Sequence, residues 1–236
     1  MKDKFTCLVV DWDYAYNLCR DVSERIKAAG FMPEVIVGIA RGGWYLARVL
    51  CDFFMVKDLF SLKMEHWGVT ATVTGAAELK FGLDSAAQKK LKGRRVLIAD
   101  DVTDTGDSIK FALEYVRSFE PSDVKTATMQ HKTSSSFMPD FYGELMTEWR
   151  WIIYPWSVCE DVMELVEKLM EKRTSKGEGK GKGKGKADLE EIRSAMKDGY
   201  DLYIPYHLLR EVLANMESQG KLRSVEQEGK VFWVMQ

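Results

Sequence analysis

At 236 residues, 46% of them apolar, the chain is long enough for one ordinary domain and a small second one. No apolar run approaches the roughly 18 residues that cross a membrane, and Met1-Lys2-Asp3-Lys4-Phe5 lacks the apolar core of a signal peptide, so a cytoplasmic location is expected. The net charge of −2 hides a basic connector, residues 172–186, which sets seven basic side chains against Glu178 alone and joins two mildly acidic bodies. Cys7, Cys19, Cys51 and Cys159 form no Cys-x-x-Cys pair, and His66, His131 and His207 stand at no ligand spacing, which argues against zinc.

Residues 5–10 read as a short strand. Asp11 or Asp13 can cap a helix with Leu18, Val22 and Ile26 on one face and Gly30 as its stop. Residues 35–39 are a second, continuously apolar strand running into Ala40-Arg41-Gly42-Gly43, and a helix follows to about Phe54. Residues 59–67 alternate like a strand, and residues 68–84, Thr-rich and without period, read as a long mobile loop. Strands at 96–99, 124–130 and 151–154 and helices at 108–119 and 160–172 complete the series. Alternating strands and helices imply a mostly parallel sheet.

The most informative stretch is Val96-Leu97-Ile98-Ala99-Asp100-Asp101-Val102-Thr103-Asp104-Thr105-Gly106-Asp107-Ser108. A strand buried on both faces delivers its ligands at its carboxyl end. Asp100 and Asp101 stand there, where vicinal hydroxyls or a hydrated magnesium ion are natural partners. The turn 103–108 offers backbone N–H groups, hydroxyls and a helix N-terminus, which suit a phosphate. Gly42 and Gly43 likewise let a backbone approach a ligand closely.

The thirteen-residue stretch resembles the phosphoribosyl-pyrophosphate (PRPP) signature of the type I phosphoribosyltransferases, with Thr103 where the family usually has an aliphatic residue. The resemblance covers residues 5–172 and is closest to the xanthine-guanine and hypoxanthine enzymes. It implies an α/β fold, a parallel sheet flanked by helices with a small base-binding hood. It also implies transfer of the 5-phosphoribosyl group from PRPP to a 6-oxopurine (guanine, xanthine or hypoxanthine), with Mg2+ as cofactor and a homodimer or higher homo-oligomer. By position, Asp100 and Asp101 would hold ribose and metal. Thr103, Asp104, Thr105, Gly106, Asp107 and Ser108 would wrap the 5′-phosphate, with the Asp107 N–H inward and its carboxylate outward. Ala40, Arg41, Gly42 and Gly43 would form the pyrophosphate loop, where the family often has a cis peptide, here Ala40–Arg41. Asp104 would exchange a proton with N7 of the purine. Lys132 would reach the 6-oxo group, Trp156 would stack on the base, and main-chain groups of Ser157 and Val158 would meet its 2-position. The loop after Glu65-His66-Trp67-Gly68 lacks the Ser-Tyr pair of many hypoxanthine-guanine enzymes, which leaves Lys80 as the candidate charge over pyrophosphate.

Residues 173–186, Lys/Gly-rich, cannot bury apolar surface and read as a flexible linker. Residues 187–236 then form a separate module. Leu189, Ile192 and Met196 mark one helix, and Pro205 opens a second with Leu208, Leu209, Val212 and Met216 inward. A hairpin closes around Glu228-Gly229. The order resembles a winged helix, a small α+β module. Glu211 and Glu217 beside His207 and Arg210 favour a protein contact over nucleic acid. The rival to an enzyme is a PRPP- or nucleotide-sensing regulator with a DNA-binding winged helix. Asp104, Lys132 and Trp156 argue against it, because a PRPP sensor needs none of them.

Overall fold

The computed structural model describes residues 5–66, 77–175 and 185–236. In chain order the elements are β1 (Cys7–Val9), α1 (Trp12–Ala28), β2 (Val35–Ala40), α2 (Gly43–Phe53), β3 (Asp58–His66), β4 (Ala77–Phe81), α3 (Ser85–Leu91), β5 (Arg95–Thr103) and α4 (Asp107–Arg117). Then come β6 (Asp123–Lys132), β7 (Phe141–Met146), β8 (Trp151–Ile153), α5 (Val158–Ser175), β9 (Lys186–Asp188), α6 (Leu189–Tyr200), α7 (Tyr206–Ser218), β10 (Leu222–Gln227) and β11 (Lys230–Met235). They fall into two compact units, Trp12–Trp149 and Met1–Asp11 with Arg150–Gln236.

The first unit is built on a six-stranded sheet in the order β4-β3-β2-β5-β6-β7, parallel throughout except for the β3–β4 pair. Val35, Val37, Leu62, Val96 and Ile98 bury one face against Ala87 and Leu91 of α3 and Ile109, Ala112 and Val116 of α4. Helices α1 and α2 pack against strands of the same sheet. Cover on both faces explains why β2 and the start of β5 are continuous apolar runs rather than alternating ones. Each fully buried Val, Ile or Leu there contributes about 1.5–3 kcal/mol.

Three differences from the sequence expectation have physical causes. Residues 77–81, expected within a loop, form β4 because they pair antiparallel with the end of β3 (Met64↔Leu79, His66↔Ala77). Residues 67–76 of that expected loop lie outside the described residues. Strand β7 gave no alternating signal because Gly143 interrupts it. A Cβ there would meet Met129 O at 2.8 Å and Leu18 O at 3.0 Å, so α1 and β6 both crowd this position. Strand β5 continues past the acid pair to Thr103 because β6 runs alongside it as far as Lys132.

In the second unit β1 pairs parallel with β8 (Leu8↔Ile152), and β10, β11 and β9 form a three-stranded sheet in that order. Its core joins Val162, Leu165, Val166 and Met170 of α5 to Ile192 and Met196 of α6 and to Leu209, Val212 and Met216 of α7. The expected boundary at residue 172 therefore does not separate two cores. The apolar stripe of α5 is buried by the helices of residues 187–236. Within the expected linker, residues 173–175 extend α5, Lys186 opens β9, and residues 176–184 lie outside the described residues. Asp188 caps α6 by accepting from Glu191 N at 2.9 Å, while the Glu191 carboxylate accepts from Asp188 N at 3.1 Å.

Candidate active site

Strands β2 and β5 are neighbours, and the chain winds away from them in opposite directions, to β3 on one side and to β6 and β7 on the other. Their carboxyl ends frame the crevice where open α/β sheets bind ligands. Both glycine-containing turns open there. A Cβ on Gly42 would collide with the Asp101 carboxylate, and one on Gly43 would strike Ala99 O and lie 2.9 Å from Asp100 Cα. The N-terminus of α2 thus sits flush against the acid pair, an approach only glycine permits. The Ala40–Arg41 peptide is cis, and Arg41 is exposed.

Asp100 and Asp101 are both half-buried. Asp100 Oδ1 accepts from Asp101 N at 3.0 Å and Asp101 Oδ1 from Val102 N at 2.8 Å. Burial first, and then the charge of Asp101, holds the Asp100 carboxyl well above the usual carboxylate range.

The next turn is pinned from outside. Gly106 has φ +91°, and a Cβ there would crowd Phe137 and Ser135 Oγ. Thr105 O accepts from Ser136 N at 3.0 Å and from Ser136 Oγ at 2.9 Å. Gly106 is the N-cap of α4, so Asp107 and Ser108 form the first turn of that helix, whose N–H groups lack intrahelical acceptors. Thr103 is placed differently from its neighbours. It is 1% exposed and donates its hydroxyl to Thr128 Oγ1 at 3.1 Å, so its side chain faces into the sheet.

Asp104 lies beside the turn and meets Lys132, the last residue of β6. Asp104 Oδ2 accepts from Lys132 Nζ at 2.7 Å, with the lysine side chain only 4% exposed and the aspartate 37%. Asp104 Oδ1 accepts from Trp149 Nε1 at 3.3 Å, and Lys132 Nζ lies 4.7 Å from the centroid of the Trp149 ring. Sequence reasoning gave Trp149, Ser135 and Ser136 no role. The available signals were a tryptophan two residues before β8 and a Ser-rich run after Lys132.

Lys80 is exposed on β4. Trp156, Ser157 and Val158 belong to the second unit. Trp156 stacks on Tyr154 with centroids 4.6 Å apart and planes at 9°, Ser157 Oγ donates to Asp161 Oδ2 at 2.8 Å, and Val158 opens α5. A depression of about 370 Å³ lined by Trp44, Arg48, Leu59, Phe60 and Ser61 shares no residue with the acid pair or the turns.

Parallel sheet, acid pair at the switch point and two glycine-dependent turns define the type I phosphoribosyltransferase fold. The sequence profile of the phosphoribosyl transferase domain matches residues 9–162, and the chain belongs to that family of enzymes. It is similar to a xanthine-guanine phosphoribosyltransferase of Cereibacter sphaeroides, 27% identical over 164 residues that span 66% of this chain and 89% of the relative. It is also similar to xanthine phosphoribosyltransferase 1 of Saccharomyces cerevisiae, 21% identical over 193 residues, 66% of this chain and 92% of the relative. Among solved structures, a purine phosphoribosyltransferase from Pyrococcus horikoshii Ot3 shares the fold with a TM-score of 0.54 and 24% identity, covering 64% of this chain and 93% of that one. Among the described residues no helix is long and apolar enough to cross a membrane.

Proposed function

We propose that this enzyme transfers the 5-phosphoribosyl group of PRPP to a ring nitrogen of a 6-oxopurine, giving the nucleoside 5′-monophosphate and pyrophosphate, as a purine-salvage step in the cytoplasm. The observation that carries the reading is the abutment of Gly42 on Asp101, which brings the glycine loop after β2 and the acid pair of β5 to one crevice. The relatives named as xanthine-guanine and xanthine phosphoribosyltransferases support the purine class. Lys132 supports the 6-oxo group, because an ammonium only donates and would face a second donor on adenine.

The acid pair fits magnesium. Among the described residues no three His, Cys, Asp or Glu gather to form a full protein cage. Magnesium characteristically takes one or two carboxylates and completes its shell with water and substrate phosphate. Two adjacent carboxylates whose repulsion already perturbs Asp100 are a site that gains from a divalent cation. Asp100 and Asp101 would hold Mg2+, which when bound supplies charge neutralisation to the leaving pyrophosphate.

The chain's own groups do the rest by positioning and by stabilising charge. Ala40, Arg41, Gly42 and Gly43 take the pyrophosphate, Asp100 and Asp101 the ribose hydroxyls. Thr105, Gly106, Asp107 and Ser108 wrap the 5′-phosphate with main-chain amides and hydroxyls, Thr103 and Asp104 contributing at its edge through the backbone. Pyrophosphate leaves, the anomeric centre inverts, and Asp104 exchanges a proton with N7 of the purine. Lys132, Trp156 and the main chain of Ser157 and Val158 hold the base, and Lys80 covers the pyrophosphate side. The chain works as a homodimer or higher homo-oligomer. The strand order β9-β11-β10 beside α6 and α7 supports the winged-helix-like reading of the C-terminal module, with a protein contact rather than DNA as its role.

The test is direct. Purified protein with magnesium and PRPP is given guanine, xanthine, hypoxanthine and adenine in turn, and pyrophosphate release is followed. Turnover with a 6-oxopurine and none with adenine is expected. No release with any purine would overturn the reading.

A further inference from the structure

Three side chains from separate places close a triangle: Asp104 from the turn after β5, Lys132 from the end of β6 and Trp149 from the segment after β7. Each carboxylate oxygen of Asp104 has its own donor, Lys132 Nζ on Oδ2 and Trp149 Nε1 on Oδ1. The same indole turns its ring toward the Lys132 ammonium. Trp149 is 41% exposed, so its placement is not dictated by a hydrophobic core.

A lysine ammonium is a point-like donor that imposes no plane on the carboxylate it meets, and Asp104 held by Lys132 alone would keep rotational freedom. A second donor on the other oxygen removes that freedom. The ring also gives a nearly inaccessible ammonium an electron-rich face in place of water. One residue therefore touches both members of the charged pair in two chemically different ways.

We propose that Trp149 is a positioning residue of the transfer site: its indole N–H sets the plane of the Asp104 carboxylate, and its ring holds the Lys132 ammonium in line with the base. The inference rests on the roles given above to Asp104 and Lys132. Trp149 stands on neither phosphate-binding turn, so its loss acts on turnover and on the base, not on PRPP.

Two variants separate the two contacts. Trp149→Phe keeps a ring and drops the N–H; Trp149→Leu drops both. In Trp149→Phe, kcat is expected to fall three- to tenfold with KM for PRPP within twofold of wild type. Trp149→Leu is expected to lose at least threefold more and to raise KM for the base. A second readout needs no catalysis. In ¹⁵N-labelled protein the indole N–H resonance missing from Trp149→Phe identifies Trp149, and Asp104→Asn should move that resonance further than any of the other six tryptophan indoles. Wild-type kcat in Trp149→Phe, an unmoved Trp149 resonance in Asp104→Asn, or parallel losses in both KM values and the unfolding midpoint would overturn the positioning role while the transfer reading stands. Wild-type protein inactive with every purine would instead remove the reading on which the role depends.

Discussion

Gly42 and Gly43 are adjacent, yet their replacement by alanine should fail in different ways. A Cβ on Gly43 meets backbone, Ala99 O and Asp100 Cα, the latter at 2.9 Å. Carbon atoms pack best near 3.5–4.0 Å, so α2 would have to retreat from β5 by about 0.6–1 Å. Overpacking of this kind costs about 1–3 kcal/mol, and a rigid strand on one side and a helix on the other leave little room to relax. The better helix propensity of alanine returns at most about 1 kcal/mol. Gly43→Ala should therefore lose about 2 kcal/mol of stability. The three atoms nearest a Cβ on Gly42 all belong to the Asp101 side chain, which can swing aside. Swinging breaks the 2.8 Å bond from Val102 N, worth about 1 kcal/mol. If Asp101 grips the ribose, the larger loss is in PRPP binding. A charge-assisted hydrogen bond is worth about 1.5–3 kcal/mol, or roughly a 10- to 150-fold rise in KM for PRPP. Urea unfolding followed by circular dichroism reads the first quantity, and pyrophosphate release against PRPP concentration the second. Gly42→Ala with wild-type KM for PRPP, or Gly43→Ala as stable as wild type, would show that the two turns do not meet as described.

Asp104→Ala should retain PRPP binding by calorimetry but lose at least about 100-fold in turnover, the lower range for a general acid or base; undiminished turnover would remove Asp104 from the mechanism. Trp156→Ala should raise KM for the base, about 1–3 kcal/mol of stacking, more than KM for PRPP, and an effect on PRPP alone would sink its assignment to the hood. In the second unit, burial above all pushes the Asp161 carboxyl up to about 6, against hydrogen bonds from Ser157 and Trp151 that favour the charged form. The folded state then binds the proton more tightly than the unfolded chain. This stability is fully present below about pH 4 and is lost as pH rises through 6, amounting to about 2–3 kcal/mol by pH 7. Asp161→Asn should abolish that slope and be the more stable protein at pH 7, as urea unfolding at pH 4.5 and 7 would reveal; an unchanged pH dependence would contradict it.

Local order along the chain carried much of the site. Val96–Ala99 followed by two acids and a Thr-Asp-Thr-Gly turn needs no partner to be read, because a buried strand, its carboxyl end and a glycine at positive φ are properties of consecutive residues. The same holds for Gly42-Gly43 and for the helices whose apolar residues recur at helical spacing. What the chain could not announce depends on residues far apart in it. Strand β4 exists because residues 77–81 find β3, and its own composition argues for a loop. Thr103 offers a hydroxyl by its place in the turn, yet Thr128, 25 residues on, accepts from that hydroxyl in the fold. Helix α5 reads as the end of one domain, but its apolar stripe is buried by α6 and α7, and burial is a property of the assembled core. Trp149 has no role that its neighbours in the chain assign; only the meeting of β5, β6 and the segment after β7 puts its N–H on Asp104 and its ring beside Lys132. Residue types and their spacing determined which chemistry was possible at the strand ends, whereas the tertiary structure decided which groups share a site, because hydrogen bonds and charges act over a few ångströms of space whatever their separation in sequence.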